Sequence, residues 1–315
     1  MNPDKDSDLL LDPDEPVGCY TPLGSDVLED GTPIEHFAAT AFAASGWGPD
    51  MQHGGPVSAL MTRAMERCAP APDMRLSRIA VEILGAIPVS EVRVSARVAR
   101  PGRRIAMLEA ELSALMRDGT WRQVALARAW RLATSPTVDI VHRADGAGSN
   151  AEIDDLPRVD VPEIWRVGFV RALDWRFEAP TTDDATGPTT AWIRLTRPLV
   201  AGEEPTPLEQ AVAIADTANG VGSHIDAFAF TYLNTDLTIH LFDAPEGGWV
   251  GLRAESSVGP EGLGLSSAAM LNPAGSIGRV AQSLLIQRRS PAKPAWFPAA
   301  AGDVPPNMAA GPSRR

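Results

Sequence analysis

The chain has 315 residues, 44% of them hydrophobic and 22% charged, which suits about two domains of ~150 residues and excludes a disordered chain. Its formal net charge is −12 and no basic stripe with interleaved aromatics occurs, which argues against a nucleic-acid partner. Cys19 and Cys68 are the two cysteines, without a CxxC or a His-rich cluster, and no apolar run reaches the ~18 residues of a spanning helix. Metal, disulfide and membrane-span readings therefore lack support, no cofactor is expected, and the cytoplasm is the expected location.

Residues 1–34 read as a polar tail and lead-in, with neither a signal nor a transit pattern. The run HFAATAFAASGW (36–47) predicts a strand, ended by the turn residues Gly46, Gly48 and Pro49. In QHGGPVSALMTRAMERCAP, Pro56 behind Gly54 and Gly55 suits the first turn of a helix. Val57, Leu60, Met61, Ala64 and Met65 form its apolar stripe, and Pro70 and Pro72 end it. Strands are expected at 78–89, 91–100, 104–115 and 120–133, with a hairpin turn at 117–119. A strand, a long helix and an antiparallel meander make an α+β unit over 35–133. Residues 134–169, rich in Pro, Asp, Gly and Ser, read as a surface linker.

The order recurs over 170–289. Two strand-like runs precede PTPLEQAVAIADTANGVGSHID, which predicts a helix from about Pro207. Thr206 is its N-cap and Glu209 completes a capping box. NTDLTIHLFDAP and three further alternating runs supply a second meander. DGTWRQVALARAW aligns with AGSIGRVAQSLLI, setting Gly119 on Gly275 and Leu126 on Gln282. A repeat of half the chain means duplicated domains. The Pro- and Ala-rich stretch 290–315 reads as a flexible tail.

Polar residues in apolar surroundings are the candidates for chemistry. Asp216 sits in AVAIADTA, where a carboxylate is desolvated, hydrogen-bonded or at a cleft. Gln282 is an amide in an alternating strand and can both donate to and accept from a water. Asn234 can hold a water, or merely start a strand; Thr235 offers a hydroxyl. Neighbouring strand residues face opposite sides, so only one of these two can point at a site. Gly54 and Gly55 bring open amides at a helix N-terminus, suited to a developing oxyanion as well as to a tight turn. His53 beside them is a candidate for substrate contact. Arg100, Arg103 and Arg104 read as a solvated turn, and no GxSxG elbow is present.

The duplicated helix-plus-meander resembles the double hot-dog acyl-CoA thioesterases of the thioesterase II type, over about 35–289. The carrying segments are GWGPDMQHGGPVSALMTRA, AVAIADTANG, NTDLTIHLF and GRVAQSLLIQ. The resemblance implies two tandem hot-dog domains and an acyl-CoA or acyl-carrier thioester as substrate. It also implies a water oriented by Asp216, by Gln282 and by the residue at Asn234, where the family usually has Thr two residues before an Asp. A homo-oligomer is expected with it. The alternatives are a hydratase or dehydratase pairing His53 with Asp216, and a non-catalytic acyl-thioester-binding protein.

Overall fold

The computed structural model describes residues 16–145, 152–158, 167–178 and 187–289. The expected C-terminal tail, the first fifteen residues and parts of the linker lie outside the described residues.

The lead-in carries a strand. β1 (Tyr20–Val27) pairs antiparallel with β2 (Pro33–Ala39). Only Tyr20 of β1 is buried, so no alternation marks it in the sequence. The strand expected over 36–47 stops at Ala39. Thr40 then accepts from the Phe42 amide and caps a 3₁₀ turn, Ala41–Ala43. A short hairpin, β3 (Ala44–Ser45) with β4 (Gly48–Gln52), delivers the chain to α1 (Gly54–Arg67), whose N-cap is His53.

Next come β5 (Met74–Ile83), β6 (Glu91–Arg100), β7 (Ile105–Leu115) and β8 (Trp121–Ala133). β5 begins earlier than expected and ends at Ile83. Leu108, Ala110 and Leu112 oppose Ala129, Ala127 and Ala125, and all are buried. Small residues on this inner face let α1 lie close, and its Val57, Leu60, Met61 and Met65 are wholly buried.

The second half holds β9 (Leu173–Phe177), β10 (Thr189–Leu195), α2 (Pro207–Ala215), α3 (Ala218–Val221) and β11 (Phe230–Asn234). β12 (Asp236–Leu241), β13 (Val250–Val258), β14 (Leu263–Asn272) and β15 (Gly275–Arg288) follow. The Thr206–Glu209 capping box forms as expected. The helix expected to continue past Asp216 is instead broken there. The Thr217 amide and hydroxyl both donate to the Ile214 carbonyl, at 2.9 and 2.7 Å, which tightens the last turn.

One antiparallel sheet joins the halves. Its order is β1-β2-β6-β7-β8-β5-β12-β15-β14-β13-β10-β9, with β11 also paired to β15. The junction is β5 against β12, with Val81 opposite Leu237. α1 and α2 pack on each other, and a single buried cluster runs through both halves. In the linker, Asp154 accepts from Trp249 Nε1, and Arg143 reaches Asp243 and the Ser276 carbonyl, so the segment wraps the second half.

The strand registers set the last hairpins of the two halves against each other differently from the sequence alignment. In the first half the Met116 amide donates to the Thr120 carbonyl around the loop 117–119; in the second, Asn272 pairs with Gly275 around 273–274. The turns differ by one residue, so Gly275 matches Thr120, not Gly119. The counterpart of Gln282 is then buried Ala127; Leu126 lies opposite exposed Glu111 on the outer face.

Candidate functional site

Asp216 is the C-cap of α2 and only 2% exposed. A carboxylate at a helix C-terminus opposes the helix dipole. Three partners from other elements hold it there. Asn234 Nδ2, at the end of β11, donates to its Oδ1 at 2.8 Å. Gln282 Nε2, on β15, donates to the same oxygen at 3.0 Å and lies 3.3 Å from the Asp216 backbone carbonyl. His53 Nδ1 lies 2.9 Å from Oδ2.

Gly54 explains how the carboxylate fits. A Cβ at that position would lie 2.7 Å from Asp216 Oδ2. At Gly55 a Cβ would lie 2.5 Å from the Ala213 carbonyl oxygen. Both glycines serve the close approach of α1 to α2, and they bring the positive end of α1 against the carboxylate.

The fold thus brings together Asp216, Gln282, Asn234, His53, Gly54 and Gly55. It leaves out Thr235. That residue sits between β11 and β12 with an exposed side chain, and its backbone bonds Ser283 and Ile83. Asn234 ends β11 with its side chain on Asp216, while Thr235 beside it faces solvent.

His53 Nδ1 is shared. The Gly55 amide donates to it at 3.0 Å while Asp216 Oδ2 lies at 2.9 Å. A lone pair can accept from Gly55 only while Nδ1 is unprotonated; a bond to ionised Asp216 needs the proton on Nδ1. One proton therefore decides which partner the ring holds, and whether the Gly55 amide is free.

A cleft of about 100 Å³ opens beside this cluster, walled by Trp47, His53, Trp175, Thr217, Asn219 and Tyr232. Trp47 and Tyr232 meet edge to face at 4.8 Å. These aromatics lie on separate segments, and no spacing in the sequence ties them together. A larger cleft, about 720 Å³, is lined by Glu66, Pro72, Arg131, Thr137, Thr206 and Phe242 and contains none of the candidate residues. Arg100, Arg103 and Arg104 are exposed, as a solvated turn should be.

Among the described residues no group of three or more His, Cys, Asp or Glu is placed to hold a metal ion, and no helix is long and apolar enough to cross a membrane. Burial pushes the Cys19 thiol up to about 12. Burial also raises Cys68, against the pull of Arg131. Both shifts oppose thiolate chemistry.

Family models identify both halves. The acyl-CoA thioesterase N-terminal domain matches residues 43–132, and the acyl-CoA thioesterase C-terminal domain matches 153–286. The chain belongs to the acyl-CoA thioesterase family. Family membership makes it a thioester hydrolase.

Solved structures agree on a hot-dog fold. A conserved protein of unknown function with hot-dog fold from Alicyclobacillus acidocaldarius superposes with a TM-score of 0.64 at 15% identity, covering 84% of this chain and 96% of its own. An acyl-CoA thioesterase II, TesB2, of Mycobacterium marinum gives a TM-score of 0.59 at 14% identity, covering 86% and 98%. The tesB protein of Mycobacterium avium subs. paratuberculosis gives 0.54 at 15% identity, covering 80% and 93%. Among curated proteins no relative matches in sequence.

Proposed function

We propose that this thioesterase is a double hot-dog enzyme that hydrolyses a fatty-acyl or related coenzyme A thioester with Asp216 as the base. The observation that carries the reading is the carboxylate itself, 2% exposed and held by Asn234, Gln282 and His53 at 2.8–3.0 Å. Buried carboxylates without such partners are rare.

Asn234 and Gln282 hold Asp216 through neutral N–H groups, so its negative charge stays available for a proton. Asn234 directs Nδ2 at Asp216, which leaves its carbonyl oxygen to accept from a water. That water attacks the thioester carbonyl carbon while Asp216 takes its proton. With Nδ1 of His53 protonated and turned to Asp216, the Gly55 amide is free for the oxyanion. The tetrahedral intermediate collapses, the carbon–sulfur bond breaks, and the proton on Asp216 returns to the departing coenzyme A thiolate. Acid and free thiol are the products. The cleft beside Trp47 and Tyr232 has room for the carbonyl end of the acyl group.

The test is release of free thiol from acyl-CoA esters of increasing chain length, with wild type beside Asp216→Asn. Turnover that the substitution abolishes in a folded protein supports the reading; turnover that survives it overturns Asp216 as base. The His53–Asp216 pair also suits a hydratase or dehydratase, and hydration of a crotonyl thioester without thiol release would favour that chemistry. Binding without turnover on any ester would favour the acyl-binding alternative.

Three coarser features belong to the proposal. Two free cysteines suit a cytoplasmic enzyme of lipid metabolism. Leu263 lies opposite Leu285, and Leu285 opposite Leu233; all three are exposed. Such an apolar outer face supports a homo-oligomer.

A further inference from the structure

Gln282 turns its Nε2 to Asp216, but its Oε1 is buried without a hydrogen-bond partner among the described residues. The Oγ atoms of Ser266 and Ser256 share that condition. The strand register sets all three in one row. Ser256 on β13 lies opposite Ser266 on β14, and Ser266 lies opposite Gln282 on β15. Directly opposed residues on antiparallel strands project to the same face, with Cβ atoms about 4.5–5.5 Å apart. That spacing brings hydroxyl and amide within reach, directly or through one water.

Ser266 and Gln282 are 0% and 1% exposed, so the row lies on the inner face. The first half carries the same row, and it is alanine throughout: Ala96 opposite Ala110, and Ala110 opposite Ala127. Alanine therefore satisfies the packing at these positions. A buried hydroxyl that makes no hydrogen bond is destabilising, so two serines in place of alanine require a partner. The polar row occurs in the half that carries Asp216.

We infer that Ser266 is a positioning residue for Gln282, with Ser256 behind it. None of the three atoms is bonded to another as the side chains stand, but turned about χ1 the Ser266 hydroxyl donates to Gln282 Oε1 and accepts from the Ser256 hydroxyl. This fixes the amide with Nε2 on Asp216. A flipped amide would set Oε1 against Asp216 Oδ1, two acceptors face to face. The inference rests on the reading of Asp216 as the base that Gln282 serves, but part of its test does not use hydrolysis.

The experiment follows the side-chain amide of Gln282 in ¹⁵N-labelled full chain, its signal identified by its loss in Gln282→Leu. Ser266→Ala is expected to move that signal and to speed its hydrogen exchange about tenfold, the loss of roughly one hydrogen bond. Ser256→Ala does the same more weakly, and Ser266→Thr restores the wild-type signal. In thiol release, Ser266→Ala lowers kcat about tenfold with KM unchanged, since it alters water activation and not binding. Folding is checked by circular dichroism, and alanine is what the first half already carries. A Gln282 signal and exchange rate unmoved by Ser266→Ala overturn the inference. A moved signal with unchanged thiol release supports the positioning contact and counts instead against Asp216 and Gln282 as the hydrolytic pair.

Discussion

Ten residues past its N-cap, each long-helix segment carries a buried charge: Arg63 after His53, and Asp216 after Thr206. The two are treated in opposite ways. Arg63 meets two carboxylates, Glu35 at 2.8 Å and Glu203 at 2.8 Å, and its charge is neutralised. Hydrogen bonds from Arg63 hold the Glu203 carboxyl below its usual range despite partial burial. Asp216 meets two neutral amides and a histidine. Ion pairing satisfies a buried charge by quenching it; amide donors satisfy it and leave it a base. In the first half the position is a staple between α1 and the segment before α2. In the second, on the reading proposed above, it is the base.

Breaking the staple should have the largest effect on stability. Arg63→Ala leaves Glu35 and Glu203 facing each other, and about 3–5 kcal/mol of stability should go, read as a fall in denaturation midpoint. Asp216→Asn, in contrast, should keep the fold and reduce kcat by about 10²–10⁴. Equal effects of both on stability would end the distinction drawn between them.

The far pole offers a pH test. Burial raises the Glu209 carboxyl to about 7, with help from neighbouring Glu66. The folded state therefore binds this proton more tightly than the unfolded chain, whose value is 4.5. The contribution is full below 4.5 and is lost as pH rises through 7. Glu209→Gln keeps the capping box and removes the titration. Relative to wild type it should gain about 2–3 kcal/mol between pH 5 and pH 8, measured by urea unfolding. A gap that stays constant with pH would contradict the assignment.

Smaller effects refine the site. Gly54→Ala forces a methyl against the Asp216 carboxylate and should cost about 1–3 kcal/mol together with activity. Thr235→Ala, on an exposed side chain, should stay within about 0.5 kcal/mol and leave kcat unchanged. A large loss there would restore Thr235 as a site residue.

The first meander was legible because its strands alternate cleanly from Glu91 to Ala133. β1 was not, since seven of its eight residues are exposed and its pairing with β2 is a tertiary fact. The end of α2 was hidden as well: AVAIADTANG reads as helix throughout, and only the Thr217 turn stops it. Asp216 and Gln282 were legible as polar residues in apolar runs. Arg63 was not, because an arginine on a helix reads as a surface residue until two acids from distant segments close on it. Ser256 and Ser266 were unreadable for a similar reason. Serine is common in strands, and only the register sets them beside Gln282. The Leu126 match failed by one residue because the two hairpin loops differ in length.

The ladder between β5 and β12 runs from Arg78–His240 to Glu82–Asp236 and has Val81, Ile79, Leu237 and Ile239 buried along it. Cutting the chain between its halves would turn each of these central strands into a raw margin, with a buried apolar face and no Pro along it. Such margins recruit other chains. Either half made alone should therefore precipitate, or find a second copy of itself to complete the sheet.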